Sequence, residues 1–372
     1  MSARSPLSPT TFAALDGWRA DSLEAAWPAF LRSCREIVEA GRAFARPSSL
    51  GGVRADWLGV CEAAIASGDR LSGAAARAFF ERHFRPFAVD GQGGPEGLFT
   101  GYYEPEAMGS RHPTEIFDVP VYARPPELVP LDEAAARHLG LRYGRIVAGA
   151  PARFLTRREI EEGGLAGRGL ELLWLSSWAD AFFIHVQGSG RVRLPDGEVV
   201  RLAFAAKNGL PYTAIGGVLV KRGEIALADN SMQAIRRWMS LHPEAARALM
   251  WENDSFVFFR EVEAMDGLGP PGAQLVGLTP GRSLAVDRGI WAFGTPLWVD
   301  THVPKGDLND TEPFRRLMIA QDTGSAIKGH VRGDIFFGAG EAAASSAGRM
   351  KGRGRMVALL PVSLAGRLAA EP

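Results

Sequence analysis

The amino-acid sequence predicts a mainly β protein with an N-terminal helical segment. In the first ninety residues, apolar residues recur at three- and four-residue spacing, which is the pattern of amphipathic helices. From about residue 97, short runs rich in β-branched and aromatic residues are separated by Gly, Pro, Asp and Asn, as in strands joined by turns. With 372 residues, 46% of them apolar, the chain is long enough for more than one domain.

Helices are predicted mainly before residue 90. Apolar stripes indicate one helix within residues 22–45 and two more near residues 57–65 and 76–83. Two further helices are predicted to interrupt the strands, one capped by Ser231 and one with Pro243 in its first turn, because both residue types favour helix starts.

Strands are predicted to dominate the rest of the chain. They are LFTGYY (98–103), AFFIHVQ (181–187), VVRLAFA (199–205), SFVFF (255–259), GTPLWVD (294–300), RLMIAQD (316–322), HVRGDIFFG (330–338) and RMVALLP (355–361). The last four are close together in sequence and are predicted to form one compact barrel or sandwich.

The composition argues against several classes of protein. Lys plus Arg and Asp plus Glu are both 42, so no net charge attracts the chain to nucleic acid or to an anionic membrane. The seven histidines form no metal-ligand spacing, so neither a metal nor another cofactor is expected. Cys34 and Cys61 lie in apolar helical patterns, which predicts buried free thiols, with a single disulfide as the alternative.

Three aspartates near the C-terminus are the strongest candidates for chemistry. Asp300, Asp322 and Asp334 each begin or end an apolar strand, where a rigid scaffold can present a side chain to a cleft. Aspartate is depleted in strands, so three such positions within 35 residues indicate function. The alternative is that some of them accept backbone hydrogen bonds in turns.

The string Asp322-Thr323-Gly324 also matches the active-site loop of aspartic proteases. Those enzymes need two aspartates that share one proton, each on its own loop. This chain has one such loop, so a protease would have to be a symmetric dimer. We keep that as an alternative.

Two further segments could bind a ligand. In GYYEPE, Tyr102 and Tyr103 could pack against sugar rings and Glu104 could take part in acid-base chemistry; a strand end with core tyrosines is the alternative. Gln187 precedes Gly188-Ser189-Gly190, which could let the backbone approach a ligand, or could be only a turn between strands.

Several segments, in order from about residue 97 to 361, resemble the membrane-bound lytic murein transglycosylase A family, whose C-terminal part is the three-aspartate "3D" domain. They are FTGYYEPE, FFIHVQGSG, AAKNGLPYTAIGGVLVKRGEI, SMQAIRRWM, ENDSFVFF, AVDRGIWAFGTPLWVD and LMIAQDTGSAIKGHVRGDIFFGAGEAA. The resemblance implies a double-psi β-barrel formed by residues 1–104 and 263–372, with the 3D region at about 290–361. It also implies a smaller β-rich domain inserted at 105–262 and a cleft between the two.

The resemblance implies cleavage of the β-1,4 bond between N-acetylmuramic acid and N-acetylglucosamine without water, which leaves a 1,6-anhydromuramoyl end. One acid/base can perform this reaction, because the C6 hydroxyl of the muramic acid attacks its own anomeric carbon. By position in the family motif, that acid/base is Asp334, with Asp322 and Asp300 in supporting roles. The substrate-binding residues implied in the same way are Thr100, Gly101, Tyr102, Tyr103, Gln187, Gly188, Ser189 and Lys328.

Partners and location also come from the resemblance. It implies binding to peptidoglycan glycan strands by a monomer, with a cell-wall synthesis or hydrolysis complex as a candidate partner. It implies the periplasm, with outer-membrane association, although the first 20 residues lack an export-signal pattern and neither cysteine lies in an N-terminal lipobox. A non-catalytic glycan-binding module is the alternative of a different class.

Overall fold

The structure is a computed structural model that describes residues 5–263, 268–306 and 310–370. The chain divides into two compact units. The barrel unit consists of Met1–Tyr103 and Met265–Pro372, and the insert unit is Glu104–Ala264. Within the described ranges, no helix combines the length and the apolar character needed to cross a membrane.

The α-helices of the described residues are α1 (Leu23–Glu39), α2 (Arg54–Ala66), α3 (Gly73–His83), α4 (Glu133–Leu139), α5 (Arg157–Glu159), α6 (Trp178–Gln187), α7 (Ile215–Lys221), α8 (Met232–Leu241), α9 (Pro243–Trp251), α10 (Glu341–Arg349) and α11 (Val362–Ala370). The strands are β1 (Leu7–Pro9), β2 (Phe84–Val89), β3 (Gly97–Glu104), β4 (Glu106–Ser110), β5 (Val119–Tyr122), β6 (Val129–Pro130), β7 (Tyr143–Val147), β8 (Ala150–Ala152), β9 (Glu171–Leu175), β10 (Ser189–Arg193), β11 (Val199–Lys207), β12 (Val257–Val262), β13 (Ser283–Val286), β14 (Pro296–Pro304), β15 (Thr311–Asp322), β16 (Arg332–Ala339) and β17 (Lys351–Pro361).

The barrel unit contains one eight-stranded sheet in the order β1-β2-β17-β14-β15-β13-β16-β3. The first residues of β17 also pair with β3, from Lys351 opposite Thr100 to Gly354 opposite Gly97. This pairing closes six strands into a barrel, while β2 and β1 extend from β17. Closure removes the exposed edges that an open sheet would have.

Alternate residues of the barrel strands face two different cores. On β14 and β15, Leu297 and Met318 belong to the core inside the barrel, whereas Trp298 and Leu317 pack against the N-terminal helices. Strands buried on both faces explain the nearly continuous apolar runs in the sequence. Cys34 and Cys61 are buried free thiols in the helical layer.

The insert unit combines a six-stranded sheet, in the order β12-β11-β10-β4-β9-β5, with a small sheet of β6, β7 and β8. Helices α6 to α9 form a separate apolar cluster against one another. As expected from the sequence, Ser231 caps α8 through the Ala234 amide and Pro243 is the first residue of α9.

The strand predicted at residues 181–187 is wrong, because these residues belong to α6. The Ser177 side chain accepts from the Asp180 amide and starts the helix, and Gly188 ends it with a left-handed φ of 75°. Phe182 and Phe183 pack against α7, α8 and α9. The Gly188-Ser189-Gly190 segment therefore joins a helix to a strand rather than two strands.

Candidate active site

Two of the predicted aspartates flank one residue in the wall of the barrel. Asp334 on β16 and Asp322 at the end of β15 both lie opposite Ala285 on β13. Residues directly opposite on neighbouring strands project to the same face, so the two carboxylates and the Ala285 methyl group form a row. With strands about 4.8 Å apart, the two aspartate backbones are roughly 10 Å apart.

A register shift in β15 sets this row. The pairing with β13 passes from Ala320 opposite Leu284 directly to Asp322 opposite Ala285, so Gln321 is the extra residue of a bulge. Gln321 is fully buried, and its side chain bonds the Ser33 and Ser283 hydroxyls. Bulges of this kind redirect neighbouring side chains, and here the bulge directs Asp322 to the same row as Asp334.

Asp322 is half-buried and held by two backbone amides. Its Oδ1 accepts from the Ala273 N–H at 3.0 Å and from the Thr323 N–H at 2.9 Å. Burial raises the pKa of Asp322 to about 6, with a further rise from the nearby Asp334 charge, although the two amide bonds favour the ionised form. This carboxyl therefore titrates near neutral pH.

Asp334 is connected to a threonine and an arginine. The Thr100 hydroxyl donates to Asp334 Oδ1, and Thr100 Oγ1 in turn accepts from Arg332 Nη2 at 2.8 Å. Burial raises the pKa of Asp334 above its ordinary value, while the Thr100 hydrogen bond and the Arg332 charge oppose that rise. Because Oδ1 is occupied by Thr100, Oδ2 is the oxygen available to carry a proton.

Tyr102 lies beside both carboxylates. Its ring packs against Phe336, with centroids 5.2 Å apart. Among the described residues, its buried hydroxyl meets no acceptor in hydrogen-bonding geometry, but it lies close enough to the Asp322 carboxylate to interact with it. Burial and the Asp322 charge together raise the pKa of Tyr102 well above its ordinary value, so the phenol stays protonated and can donate a hydrogen bond.

Gly101 and Tyr103 alternate along β3 with Thr100 and Tyr102. A Cβ atom on Gly101 would lie 2.5 Å from the Phe337 ring and 2.9 Å from the Ala347 backbone. The glycine is therefore needed for packing of Phe337 and α10 against β3. Tyr103 is 5% exposed. The structure gives both positions a packing role.

Asp300 and Lys328 do not join the row. Asp300 lies on β14 opposite Arg315, which donates to it at 3.1 Å. Because Arg315 precedes Asp322 by seven residues on β15, Asp300 is roughly 20 Å from Asp322 along the sheet. Lys328 is exposed, and its Nζ lies 3.4 Å from Asp287 Oδ1.

The remaining predicted residues belong to the insert unit. Gln187 ends α6, Gly188 is its left-handed cap and Ser189 begins β10, so the three are contiguous at one junction. Glu104 is fully buried between two arginines, with Arg191 Nε at 3.0 Å and Arg201 Nε at 2.8 Å. Burial raises the pKa of Glu104, while both arginines favour its ionised form.

The sequence prediction missed Arg332 as a site residue. A signal was present, because Arg332 precedes Asp334 by two residues on the same strand and strand residues two apart share a face. Among the described residues, no group of three or more His, Cys, Asp or Glu side chains is arranged to hold a metal ion.

The raised pKa of Asp322 gives a testable dependence of stability on pH. A carboxyl whose pKa is higher in the folded state binds more protons when folded, so stability falls as pH rises through that interval. From about pH 4 to about pH 6, we expect the wild type to lose about 1–2 kcal/mol of unfolding free energy relative to Asp322→Asn. Urea denaturation at several pH values measures this difference. If the difference in unfolding free energy between the two proteins stayed constant from about pH 4 to about pH 6, the raised pKa of Asp322 would be contradicted.

Comparison with known proteins gives two matching family models, the MltA specific insert domain over residues 98–260 and the 3D domain over residues 282–360. The chain is 35% identical over 263 residues to the membrane-bound lytic murein transglycosylase A of Vibrio cholerae, covering 70% of this chain and 64% of that protein. This match thus spans slightly less than two thirds of the relative's length.

Solved structures extend the similarity to nearly the whole chain. A membrane-bound lytic murein transglycosylase from Agrobacterium tumefaciens matches with a TM-score of 0.87 and 38% identity, covering 99% of both chains. Escherichia coli MltA with bound chitohexaose matches with a TM-score of 0.68 and 29% identity, covering 96% of this chain and 95% of that one. On these similarities, the chain belongs to the membrane-bound lytic murein transglycosylase A family.

Proposed function

We propose that the protein is a peptidoglycan lytic transglycosylase that cleaves the β-1,4 bond between N-acetylmuramic acid and N-acetylglucosamine and leaves 1,6-anhydromuramoyl ends. The observation that carries this proposal is the half-buried Asp334 carboxyl, which has a raised pKa and one oxygen held by Thr100. Such a group is suited to begin the reaction as an acid and to continue it as a base.

The reaction balances with one catalytic group. Asp334 Oδ2 gives its proton to the glycosidic oxygen as the bond from that oxygen to C1 of the muramic acid breaks. The resulting carboxylate then removes the proton from the C6 hydroxyl, and O6 forms a new bond to C1. The net result is transfer of one proton from O6 to the leaving oxygen, so Asp334 returns to its starting state and no water is consumed.

The neighbours of Asp334 have supporting roles in this scheme. The transition state for breaking a glycosidic bond carries positive charge on the sugar ring, and a negative charge on Asp322 would stabilise it. The Tyr102 phenol can donate a hydrogen bond to the substrate or to Asp322. Arg332 donates to the Thr100 oxygen at 2.8 Å, which leaves the Thr100 hydrogen to be donated to Asp334 Oδ1. Asp300 is assigned a structural role through Arg315.

The family context extends the proposal. The six-stranded closed barrel supports assignment of the double-psi type, with the insert unit contributing to glycan binding through Gln187, Gly188 and Ser189. Chitohexaose is bound in the Escherichia coli relative, which supports glycan strands as the ligand of this chain. The relatives are named as membrane-bound, and we propose a periplasmic location for this chain with association to the outer membrane.

The alternatives are less well supported by the site. A hydrolase would need a second carboxylate that activates water. Glu104 is unsuited to that role because it is buried and already paired with Arg191 and Arg201, and Asp322 Oδ1 is held by the Ala273 and Thr323 amides. An aspartic protease needs two carboxylates that share a proton; within one chain Asp322 and Asp334 are separated by the width of β13, so a protease would still require a second copy of the chain.

Mass spectrometry of the products tests the proposal. The purified protein is incubated with peptidoglycan sacculi, and the soluble fragments are analysed. We expect fragments with 1,6-anhydromuramoyl ends, which are lighter by one water than reducing-end fragments. Reducing ends alone would mean hydrolysis, and binding without release of fragments would favour a non-catalytic glycan-binding module.

Thr100→Val tests how Asp334 is positioned. Valine has a similar shape but cannot donate to Asp334 Oδ1, so we expect about tenfold slower turnover from loss of one hydrogen bond to a charged group. Because the Thr100 hydrogen bond lowers the pKa of Asp334, its loss should also shift the alkaline limb of the pH–rate profile to higher pH. Thr100→Ser should restore both properties. An unchanged pH profile in Thr100→Val would contradict this role.

A further inference from the structure

The insert unit contains a cavity of about 620 Å³ that the proposed catalytic site does not use. It lies between the start of α6, the C-terminal half of α8 and one face of α9 from Pro243 to Met250. Its polar and charged lining is contributed by Ser177, Asp180, Arg236, Arg237, Ser240 and Arg247. Trp178 and several small or flexible apolar side chains form the remainder of the wall.

The charge of the cavity is positive. Three arginines and one aspartate line it. Arg236 is balanced by Asp180, with Nη1 2.7 Å from Oδ1, and Arg247 has Glu161 beside it, so the unbalanced positive charge is that of Arg237. Arg237 is exposed, and its guanidinium has no partner in the part of the chain that the structure describes. At least one guanidinium at the cavity is thus free to bind an anion.

Stacking holds the Arg247 side chain in place. Its guanidinium lies 3.7 Å from the centroid of the Trp178 ring and 5.2 Å from that of Trp251. Its Nη2 is 3.6 Å from Glu161 Oε2, and its buried Nε has no hydrogen-bond partner among the residues that the structure describes. The stacked Arg247 therefore contributes a fixed positive charge to the wall of the cavity.

The backbone adds to the positive potential. Both α6 and α9 begin at this cavity, with ten and nine residues respectively. The Asp180 amide of α6 is capped by Ser177 and Pro243 at the start of α9 has no N–H, so the positive contribution is that of the helix dipoles. The two positive helix ends outnumber the single negative end of α8. Together with the arginines, they favour an anionic ligand, while Trp178, Ala246 and Met250 favour small apolar groups beside the charge.

We propose that this cavity binds a carboxylate of the peptide that is attached to N-acetylmuramic acid in peptidoglycan. The proposal rests on the proposed function, which gives the protein this substrate. The stem peptide carries free carboxylates beside the methyl groups of its alanines, which matches a site of arginines and small apolar side chains. The carboxylate takes two hydrogen bonds from the Arg237 fork, as guanidinium–carboxylate pairs commonly do.

Binding is tested with the free tetrapeptide L-Ala-γ-D-Glu-meso-diaminopimelate-D-Ala and with the same peptide converted to carboxamides. Protein labelled with ¹⁵N at tryptophan reports through the Trp178 indole resonance, which the Trp178→Phe variant identifies. We expect saturable shifts with the tetrapeptide, at least about tenfold weaker binding by Arg237→Glu, and little binding of the carboxamide form. Arg142→Glu is the matched control, because Arg142 is an exposed arginine of the insert unit outside the cavity, and it should bind like the wild type.

Cleavage assays separate failure of this inference from failure of the proposed function. Rates of anhydromuropeptide release are compared on strands that keep their peptides and on strands stripped by an amidase. We expect the wild type to cleave peptide-bearing strands faster than stripped strands. Arg237→Glu should lose this preference while it keeps the wild-type rate on stripped strands. Equal binding of the two peptide forms, an unaltered Arg237→Glu variant, or no saturation up to about 10 mM peptide would overturn the carboxylate site. Absence of cleavage on both substrates, with peptide binding retained, would instead count against the proposed function.

Discussion

Replacing Asp334 with asparagine is expected to lower the rate of anhydromuropeptide release by about 10³-fold. An amide can neither give an acidic proton to the glycosidic oxygen nor take one from the C6 hydroxyl, and each type of proton transfer contributes about 10²–10⁴-fold. Asparagine has the same shape, and its Oδ1 can still accept from Thr100. Initial rates of product release from sacculi, followed by mass spectrometry, measure the loss.

The stability of Asp334→Asn distinguishes loss of the catalytic group from unfolding of the protein. Burial raises the pKa of Asp334, so the ionised carboxylate is disfavoured in the folded protein and a neutral amide should be tolerated at neutral pH. We therefore expect the thermal midpoint of Asp334→Asn to equal or exceed that of the wild type at pH 7. A well-folded variant that keeps more than about a tenth of the wild-type rate would exclude Asp334 as the sole acid/base.

Asp300→Asn makes the same chemical change elsewhere on the barrel. Because Asp300 pairs with Arg315 and lies away from Asp334, we expect its rate to fall less than about threefold, since a partly exposed ion pair contributes little. If this variant lost as much activity as Asp334→Asn, the site would have to include Asp300 and the present assignment would be wrong.

The sequence was informative about which strands carry the acids and uninformative about their register. Apolar runs with an aspartate at one end predicted the strands that contain Asp300, Asp322 and Asp334. Whether their side chains meet depends on cross-strand pairing. The bulge at Gln321 brings Asp322 level with Asp334 across Ala285, whereas the register of β14 places Asp300 opposite Arg315. No local pattern encodes either pairing.

The wrong prediction of a strand at residues 181–187 has a different cause. Aromatic and β-branched residues in AFFIHVQ favour a strand in isolation. Ser177 and Asp180, which lie just before this run, have the spacing of a helix start, and Gly188 suits a helix end. In the folded chain, Phe182 and Phe183 are buried by neighbouring helices, so tertiary packing and capping together override the local strand preference.

The largest expected effect on stability comes from breaking the ion pair between Asp21 and Arg282. These residues are 8% and 5% exposed, and two hydrogen bonds of 2.7 and 2.8 Å join their side chains. Asp21 also accepts from the Leu317 amide at 2.9 Å. Asp21→Ala leaves the Leu317 amide without its acceptor and the buried guanidinium without its counter-charge, although the Leu317 and Ser22 carbonyls still accept from Arg282. We therefore expect a loss of about 4 kcal/mol in the free energy of unfolding. Urea denaturation followed by tryptophan fluorescence measures it.

Two comparison variants test whether burial is the reason for the large expected loss of stability in Asp21→Ala. Asp16→Ala removes a partner of Arg315 that is 3.7 Å away and largely exposed, and it should change stability by less than about 0.5 kcal/mol. Asp21→Leu combined with Arg282→Met removes both buried charges and should recover most of the loss. If Asp21→Ala and Asp16→Ala had equal effects, burial of the pair would not be what makes it important.

The position of this pair connects stability to the site. Asp21 lies two residues before α1, and Arg282 immediately precedes β13, the strand between Asp322 and Asp334. Loss of the Asp21–Arg282 ion pair should therefore loosen β13 before the rest of the barrel unfolds. We expect Asp21→Ala to lose cleavage activity at urea concentrations below those at which its tryptophan fluorescence changes, whereas the two transitions should coincide in Asp16→Ala. Coinciding transitions in both variants would mean that the N-terminal segment stabilises the barrel as a whole and has no particular effect on the row of aspartates.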